Sequence, residues 1–332
     1  MPAARGILLY SGGLDSVIAA KVLFAQNIEL TGFQCILPFY PPDFDPETLP
    51  SADLARRIGL EVSYHRLGRD YIDLARNPPH GYGKRMNPCV DCKIHFIRKA
   101  AELMRETGAD FVATGEVVGQ RPMSQMKHML NHIVKESGIE GRLLRPLSAQ
   151  ILKPTIPEET GLVDRARLLN ISGRGRGIQM ALAREYGITQ YESPSGGCLF
   201  TDVGISRRVR DLFDHHADID ALDMFFLTIG RHFRLTGEVK AIVSRNEKEN
   251  NEFGKYIDRI DYLLEPQFRG PLIALKGDSD PTAIDRARAL MARYSKLTGA
   301  DYRIRLLRRG QIVSELGLPD PVSDIELEAM RI

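Results

Sequence analysis

Short apolar runs alternate with longer amphipathic segments through the first half of the chain. The predicted strands are residues 5–10, 30–37, 60–66 and 110–114, and the predicted helices are residues 16–26, 47–58 and 91–107. Strands that alternate with helices indicate βαβ units around a parallel sheet. The pattern therefore predicts a doubly wound α/β fold, in which ligands bind beyond the carboxyl ends of the strands.

The pattern changes near residue 203. After Gly230 apolar and polar residues alternate, which predicts paired strands, and residues 280–297 carry an apolar stripe at helical spacing. We expect a second, smaller α/β domain here. The predicted domains are residues 1–202 and residues 203–332.

Composition and charge narrow the class of protein only a little. A length of 332 residues favours two domains, and a net charge of +2 means that any nucleic-acid surface must be local. No apolar stretch approaches the roughly 20 residues of a membrane span, and the N-terminus shows no signal-peptide pattern. We expect a cytoplasmic protein in which the four cysteines do not form a disulfide framework, and Cys35 is most simply a small core residue.

The first strand runs directly into the segment Ser11-Gly12-Gly13-Leu14-Asp15-Ser16, and a helical pattern follows. A glycine-rich turn at a helix N-terminus presents backbone N–H groups and a positive helix end to an anion. The two glycines allow a sharp bend, and the serines add hydroxyl donors. Asp15 is unusual in an anion site and suggests a metal ion or a reacting group nearby.

The order strand, Ser-Gly-Gly-x-Asp-Ser, helix resembles the PP-loop of the ATP pyrophosphatase superfamily, which has an adenine nucleotide α-hydrolase-like fold. The resemblance implies that ATP, with Mg²⁺, is cleaved between its α and β phosphates while a substrate oxygen is adenylated. Thr114 and Gly115 resemble part of the nucleotide wall, and Glu116 faces either the same cleft or solvent. The implied nucleotide-binding residues are Ser11, Gly12, Gly13, Leu14, Asp15, Ser16, Thr114 and Gly115.

Three cysteines are placed as a reactive or metal-binding set requires. Cys89 and Cys92 stand in Asn-Pro-Cys-x-x-Cys where a loop enters a helix, so both sulfurs can face one point. A helix N-terminus there would stabilise a thiolate. Cys198 follows two glycines in Ser-Gly-Gly-Cys-Leu-Phe, which leaves its backbone bent and accessible.

These motifs resemble those of the tRNA thiouridine synthetases. In the bacterial tRNA 2-thiouridylase family, two cysteines that match Cys92 and Cys198 carry sulfur chemistry. The additional Cys89 resembles the iron–sulfur-dependent branch, which implies that Cys89, Cys92 and Cys198 hold a [4Fe–4S] cluster with one open iron. Two alternatives stay open: a persulfide mechanism without a cluster, and a structural zinc whose fourth ligand is His80, His95 or Cys35.

The resemblance implies an ATP-dependent tRNA sulfurtransferase that forms AMP and pyrophosphate, with Asp15, Cys92 and Cys198 as catalytic residues. Its partners would be tRNA and a sulfur-donor protein or free sulfide. Two other readings stay open. One is a PP-loop ligase or amidotransferase that acts on a small molecule, and the other is a non-catalytic RNA-binding protein.

Two basic regions are candidate RNA contacts. Residues 141–178 are rich in arginine and include the loop Ser-Gly-Arg-Gly-Arg-Gly, which is either a phosphate-contacting surface or a solvated face. In the second domain, Gly-Arg-His-Phe-Arg and Ser-Arg-Asn-Glu-x-x-Asn resemble the RNA-binding domain of NFACT proteins. The local basic patch expected there consists of Arg231, His232, Arg234, Lys240 and Arg245.

Overall fold

A computed structural model of the chain describes residues 3–122, 124–191, 198–297 and 299–332. The chain divides into two compact units, residues 1–201 and 202–332. This division lies one residue from the predicted domain boundary. Each unit has its own sheet and its own buried core. Within the described ranges, none of the helices has the length and apolar character needed to cross a membrane.

The first unit alternates strands and helices. In chain order its elements are β1 (Arg5–Leu9), α1 (Leu14–Phe24), β2 (Glu29–Ile36), α2 (Pro50–Ile58), β3 (Glu61–Arg66), α3 (Arg69–Arg76), α4 (Cys89–Thr107), β4 (Phe111–Thr114), α5 (Lys127–Ser137), β5 (Leu143–Leu144), α6 (Ile156–Glu159) and α7 (Gly177–Glu185). Short 3₁₀ turns lie at Pro46–Thr48, Ala149–Ile151, Arg165–Arg167 and Leu199–Thr201. This order explains why the sheet is parallel, because the helical connections return the chain to the same end of the sheet before the next strand begins.

The described strands of this unit form a parallel five-stranded sheet in the order β3-β2-β1-β4-β5. The chain builds outward from β1 through β2 to β3 and then crosses to β4 on the other side of β1. The strand order therefore reverses between β1 and β4. A crevice opens at such a switch point, beyond the carboxyl ends of the two strands.

Helices cover both faces of this sheet, as the prediction of a doubly wound fold requires. Neighbouring strand residues point to opposite faces: Leu8 packs with α1, α2 and α7, whereas Ile7 packs with α4 and α5. In β4, Ala113 and Val112 divide in the same way. This double burial is why the strands are continuous apolar runs in the sequence.

The second unit is built on an antiparallel sheet. Its elements are α8 (Val203–His215), α9 (Ala221–Phe226), β6 (Arg231–Arg234), β7 (Lys240–Val243), α10 (Glu247–Lys255), β8 (Tyr262–Pro266), β9 (Ile273–Lys276), α11 (Pro281–Ser295), β10 (Gly299–Arg308), β11 (Gln311–Leu318) and α12 (Asp324–Met330). The six strands in the described ranges pair in the order β11-β10-β8-β9-β7-β6. One core lies between the sheet and α11 and α12, and a second lies against α9 and α10. The expected smaller α/β domain is confirmed, and the strands predicted after Gly230 are β6 and β7.

Candidate nucleotide and thiol site

The PP-loop, residues 11–16, is a tight turn between β1 and α1. Gly12 has φ +70°, a left-handed conformation that glycine adopts without strain. The buried Ser16 hydroxyl donates to the Gly13 carbonyl at 2.8 Å, and the Ser11 hydroxyl lies 3.4 Å from the Gly13 nitrogen. The N–H groups of the first turn of α1 have no partner within the helix. They therefore form an anion site at the switch point of the sheet.

Gly115 brings the end of β4 into direct contact with the PP-loop. A Cβ atom on Gly115 would lie 2.6 Å from the carbonyl carbon of Asp15 and 2.6 Å from the nitrogen of Ser16. Real contacts of this kind are not shorter than 3.0 Å, so only glycine fits. The Thr114–Gly115 pair predicted as a nucleotide wall therefore supports the loop backbone.

Two glutamine side chains hold the carboxylate of Asp15. Gln120 Nε2 donates to Asp15 Oδ2 at 2.9 Å, and Gln179 Nε2 lies 3.4 Å from Asp15 Oδ1. The Oε1 atoms of both glutamines are buried and have no hydrogen-bond partner among the described residues. Asp15 is thus fixed in direction at the mouth of the anion site by two amide groups.

A cavity of about 320 Å³ opens beside the PP-loop. Its size suits a small-molecule site. The walls combine apolar surface with a few polar groups, and its lining includes Tyr10, Ser11, Asp15, Ser16, Phe33, Cys35, Lys93, Phe96, Thr114, Gly115, Glu116, Arg121 and Gln125. Five of the eight predicted nucleotide-binding residues line this cavity. The other three, Gly12, Gly13 and Leu14, lie in the same turn.

Glu116 faces the cleft and not the solvent. Its carboxylate is buried, 2.5 Å from Lys93 Nζ and 3.0 Å from Arg145 Nε. Burial alone would raise the pKa of Glu116, but the two cations outweigh it and lower the pKa to about 2. The carboxylate is therefore ionised at neutral pH, and it holds Lys93 at the wall of the cavity.

Cys89 and Cys92 lie on the first turn of α4, because the helix begins at Cys89 after Pro88. The Cys89 thiol lies 3.5 Å from the Ser124 hydroxyl, and Cys92 Sγ lies 2.9 Å from the buried Tyr71 hydroxyl. Burial raises the pKa of Cys92 to about 12, although the hydrogen bond with Tyr71 acts in the opposite direction. For the metal-free Cys92 thiol, burial is the largest influence on this pKa, so the stabilisation expected from the helix end stays a prediction.

Hydrogen bonds to backbone carbonyl groups bring the segment at Cys198 next to the loop before α4. Of the motif at 193–200, residues 193–197 lie outside the described residues. The segment that follows is tied to the loop before α4, since Met86 N donates to the Phe200 carbonyl at 3.3 Å and Arg85 Nη1 to the Thr201 carbonyl at 2.8 Å. Phe200 is fully buried and packs edge-on against Phe39.

The three cysteines lie close enough to influence one another electrostatically. Burial raises the pKa of Cys198, and Cys89 raises it further. Both of these cysteines also raise the pKa of Cys92. Across the described ranges, no three His, Cys, Asp or Glu side chains stand in metal-binding geometry. The donor set still fits an iron–sulfur group in its chemistry, because thiols are the ligands that such clusters take.

The three residues considered as a fourth zinc ligand lie in different surroundings. His80 Nδ1 bonds to Asp91 at 2.7 Å, and its Nε2 lies 2.8 Å from His132 Nε2. The ring of His95 packs against Tyr71, and burial lowers the His95 pKa. Cys35, the third candidate, lines the cavity beside the PP-loop instead.

Two of the five residues of the basic patch predicted in the second unit are buried. His232 and Lys240 are 2% and 1% exposed. Lys240 Nζ and Arg234 Nη2 both bond to Asp211, at 2.9 and 2.7 Å. Arg245 pairs with a buried glutamate one helical turn away. The expectation of a local basic patch is therefore wrong for His232 and Lys240, which are buried, and the carboxylate that pairs with Lys240 also neutralises Arg234.

Several site residues carry no motif that sequence reasoning could have found. Tyr71, Lys93, Gln120 and Gln179 belong to four different elements or loops. Gln120 follows the Thr-Gly pair by five residues, which is the one available hint. Lys93 directly follows Cys92 in the chain, but its pairing with Glu116, like the contacts of Tyr71 and Gln179, arises only through the tertiary fold.

Comparison with known proteins relates both parts of the chain to RNA-modifying or RNA-binding proteins. Residues 230–316 match the family described as NFACT protein RNA binding domain. The chain is also similar to the probable tRNA sulfurtransferase of Methanosarcina acetivorans, with 28% identity over 182 residues, which is 53% of this chain and 41% of the relative. The chain thus spans about two fifths of the length of that curated relative.

Among solved structures, the U34-tRNA thiolase NcsA from Methanococcus maripaludis with its [4Fe-4S] cluster aligns with 68% of this chain and 69% of its own, at 15% identity and a TM-score of 0.31. A 4-thiouridine synthetase–RNA complex with bound ATP aligns with 57% of this chain and 54% of its own, at 19% identity and a TM-score of 0.33. The two resemblances predicted from the motifs are confirmed: this chain is similar to a tRNA sulfurtransferase over half its length, and residues 230–316 match the NFACT RNA-binding domain.

Proposed function

We propose that this protein is an ATP-dependent tRNA sulfurtransferase. One observation carries the proposal: the first turns of α4 contribute residues both to the cavity beside the PP-loop and to the cysteine set. Lys93 lines the cavity and ion-pairs with Glu116, and its chain neighbour Cys92 belongs to the thiol site. A base activated at the cavity would therefore lie next to the sulfur chemistry.

ATP binds with its departing phosphates on the N–H groups of the PP-loop, where Mg²⁺ would neutralise part of their charge. Asp15, held by two glutamine amides, positions the metal ion or the attacking group. A carbonyl oxygen of a uridine attacks the α-phosphate, the bond to the β-phosphate breaks, and pyrophosphate leaves. Lys93 and Arg121 supply positive charge at the cavity wall, since this chemistry depends on positioning and charge stabilisation.

Sulfide then attacks the activated carbon, and AMP leaves with the former carbonyl oxygen. The three cysteines would hold a [4Fe–4S] cluster, whose open iron would supply the binding place for sulfide. The burial of Cys92, which is 8% exposed, favours a ligand over a persulfide carrier, because a carrier must be reached by a donor thiol. The hydroxyl of Tyr71 would orient the sulfur of this ligand.

The acceptor is an RNA, with tRNA as the proposed partner and a sulfur-donor protein or free sulfide as the sulfur source. The similarity to a tRNA sulfurtransferase and the match to an RNA-binding domain support this choice. The target base must leave its stack to reach the cleft. These features also distinguish the proposal from a small-molecule ligase, for which an RNA-binding domain has no evident use.

ATP–pyrophosphate exchange, measured with and without tRNA, tests the adenylation step. We expect exchange that depends on tRNA and is abolished in Asp15→Ala. Asp53→Ala, which removes an exposed carboxylate on α2, should retain it. Exchange supported by a small carbonyl compound alone would favour the ligase, and ATP binding with no exchange would favour a non-catalytic RNA-binding protein.

Anaerobic purification tests the cluster. We expect bound iron and a broad visible absorbance that is lost in Cys89→Ser, Cys92→Ser and Cys198→Ser. Cys35→Ser is the matched control, since Cys35 lines the nucleotide cavity, and it should retain the iron. Iron-free protein that still thiolates tRNA would favour the persulfide mechanism. Stoichiometric zinc in place of iron would favour a structural metal.

A further inference from the structure

The loop at residues 172–177, Ser-Gly-Arg-Gly-Arg-Gly, is anchored beside the nucleotide site; we refer to it as the Arg-Gly loop. At its start, Ser172 forms a β-bridge with Val118, and Gly173 N donates to the Val118 carbonyl at 2.8 Å. Gly173 has φ +84°, a conformation that lets the chain turn away directly after this bond. The loop therefore begins at the segment that follows β4.

Both anchors of the Arg-Gly loop lead to Asp15. Gln179, two residues after the loop, is fully buried and lies 3.4 Å from Asp15 through its amide nitrogen. Gln120, two residues after the bridge at Val118, bonds to the other oxygen of Asp15 at 2.9 Å. The loop is thus attached on each side to a glutamine that holds the PP-loop carboxylate.

The charges of the Arg-Gly loop are not neutralised, unlike those of neighbouring arginines. Arg145 and Arg165 each pair with a glutamate. Arg174 is exposed and Arg176 is half-exposed, and in the part of the chain that the structure describes neither has an ion-pair partner. Two cations therefore stand free at the edge of the proposed active site.

The position of the Arg-Gly loop favours RNA over the nucleotide. None of its residues is among those that line the 320 Å³ cavity, so it lies outside the space for ATP. Directly after it, Ile178 and Met180 are 55% and 42% exposed. Free cations next to exposed apolar side chains suit a polymer that offers both phosphates and base faces.

We propose that the Arg-Gly loop binds the phosphate backbone of the acceptor RNA and holds it against the nucleotide site. The proposal rests on the proposed function, because an RNA oxygen must reach the α-phosphate of ATP. The backbone anchors explain how such contacts become useful: phosphates bound by Arg174 and Arg176 lie at a fixed offset from Asp15. The loop therefore positions the substrate, while the match at residues 230–316 accounts for a separate contribution to RNA affinity.

Salt-dependent RNA binding by the full-length chain tests the proposal. Each phosphate contact contributes about 0.7–0.9 to the slope of log affinity against log salt, so Arg174→Ala/Arg176→Ala should reduce the slope for tRNA by roughly one to two. ATP affinity should stay at the wild-type value. The matched control is Lys21→Ala/Arg105→Ala, which removes the same charge. These residues lie in the last turns of α1 and α4, at the ends of the two helices that are far from the PP-loop.

The possible outcomes separate this proposal from the proposed function. A reduced slope in the loop variant but not in the control supports it. An unchanged slope overturns it even if the wild-type chain thiolates tRNA. A loss of ATP affinity in the loop variant overturns it too, because the loop would then serve the nucleotide. If wild-type protein binds ATP but no RNA, the proposed function fails together with the loop.

Discussion

Gly115→Ala tests whether the contact between β4 and the PP-loop shapes the nucleotide site. The new Cβ atom would lie 2.6 Å from two backbone atoms of the PP-loop and 2.7 Å from a third, the carbonyl oxygen of Asp15. These atoms must separate by at least 0.4 Å to reach 3.0 Å, the shortest contact that real Cβ atoms make. The neighbours are backbone and not flexible side chains, so the loop itself must move.

Two quantities follow from this displacement. Overpacking of this kind costs roughly 1–3 kcal/mol of unfolding free energy. A shift approaching 1 Å in groups that position a substrate can cost about 100-fold in rate. We therefore expect Gly115→Ala to lose about 10- to 100-fold in the kcat/KM of ATP–pyrophosphate exchange while the protein stays folded.

The assay combines urea unfolding with exchange kinetics in one buffer. Gly254→Ala is the control, because a Cβ there meets nothing within 4 Å, and alanine inside α10 should raise stability by about 0.5–1 kcal/mol. Wild-type stability and exchange in Gly115→Ala would refute the close contact. Lower stability with unchanged exchange would refute its importance for the nucleotide.

Three further substitutions test buried polar groups. Tyr71→Phe removes the hydroxyl 2.9 Å from Cys92 Sγ, so urea unfolding should show a loss of about 1 kcal/mol. Glu116→Gln leaves the buried Arg145 and the partly buried Lys93 without a counter-charge, and we expect a loss of about 3–5 kcal/mol at neutral pH. Folding lowers the pKa of Glu116 from 4.5 to about 2, so the ionised carboxylate stabilises the fold above pH 4.5 and this stabilisation disappears as the pH falls toward 2. The unfolding free energy of Glu116→Gln should therefore depend less on pH in that window than that of the wild-type protein. Asp211→Asn leaves two cations unpaired in the second unit and should cost about 3 kcal/mol.

Each of these substitutions has a matched control. Tyr64→Phe removes a hydroxyl on β3 that is half-exposed, Glu102→Gln a carboxylate that is 47% exposed, and Asp214→Asn an exposed carboxylate on α8. All three should change the unfolding free energy by less than about 0.5 kcal/mol. Equal losses in a test variant and its control would show that the buried contact contributes nothing specific.

Four of the described strands of the first unit, β1 to β4, could be predicted to within one or two residues, and in β1 and β4 the reason is that both faces are buried. Residues 5–10 and 110–114 read as apolar runs, and β1 and β4 occupy Arg5–Leu9 and Phe111–Thr114. The PP-loop was recognisable for a related reason, since a turn that approaches phosphate needs glycine at set positions. In both cases a local requirement leaves a local pattern.

Elements that depend on distant partners were not predicted. The helices α3 and α5 and the short strand β5 were missed, and β5 exists only because it pairs with β4. The basic patch of the second unit failed for the same reason. Its arginine and lysine are visible in the sequence, but the carboxylate that neutralises them, Asp211, lies more than 20 residues away on α8.

The sequence by itself determined the class of fold, the anion-binding turn and the identity of the three cysteines, since each depends on residue types at short spacing. Only the tertiary structure decided which groups surround them. Asp15 is held by glutamines 105 and 164 residues away, and Cys92 by a tyrosine 21 residues before it. The structure also decided that Cys92 is buried, which raises the pKa of its thiol, because desolvation depends on packing from all sides and leaves no trace in the local sequence.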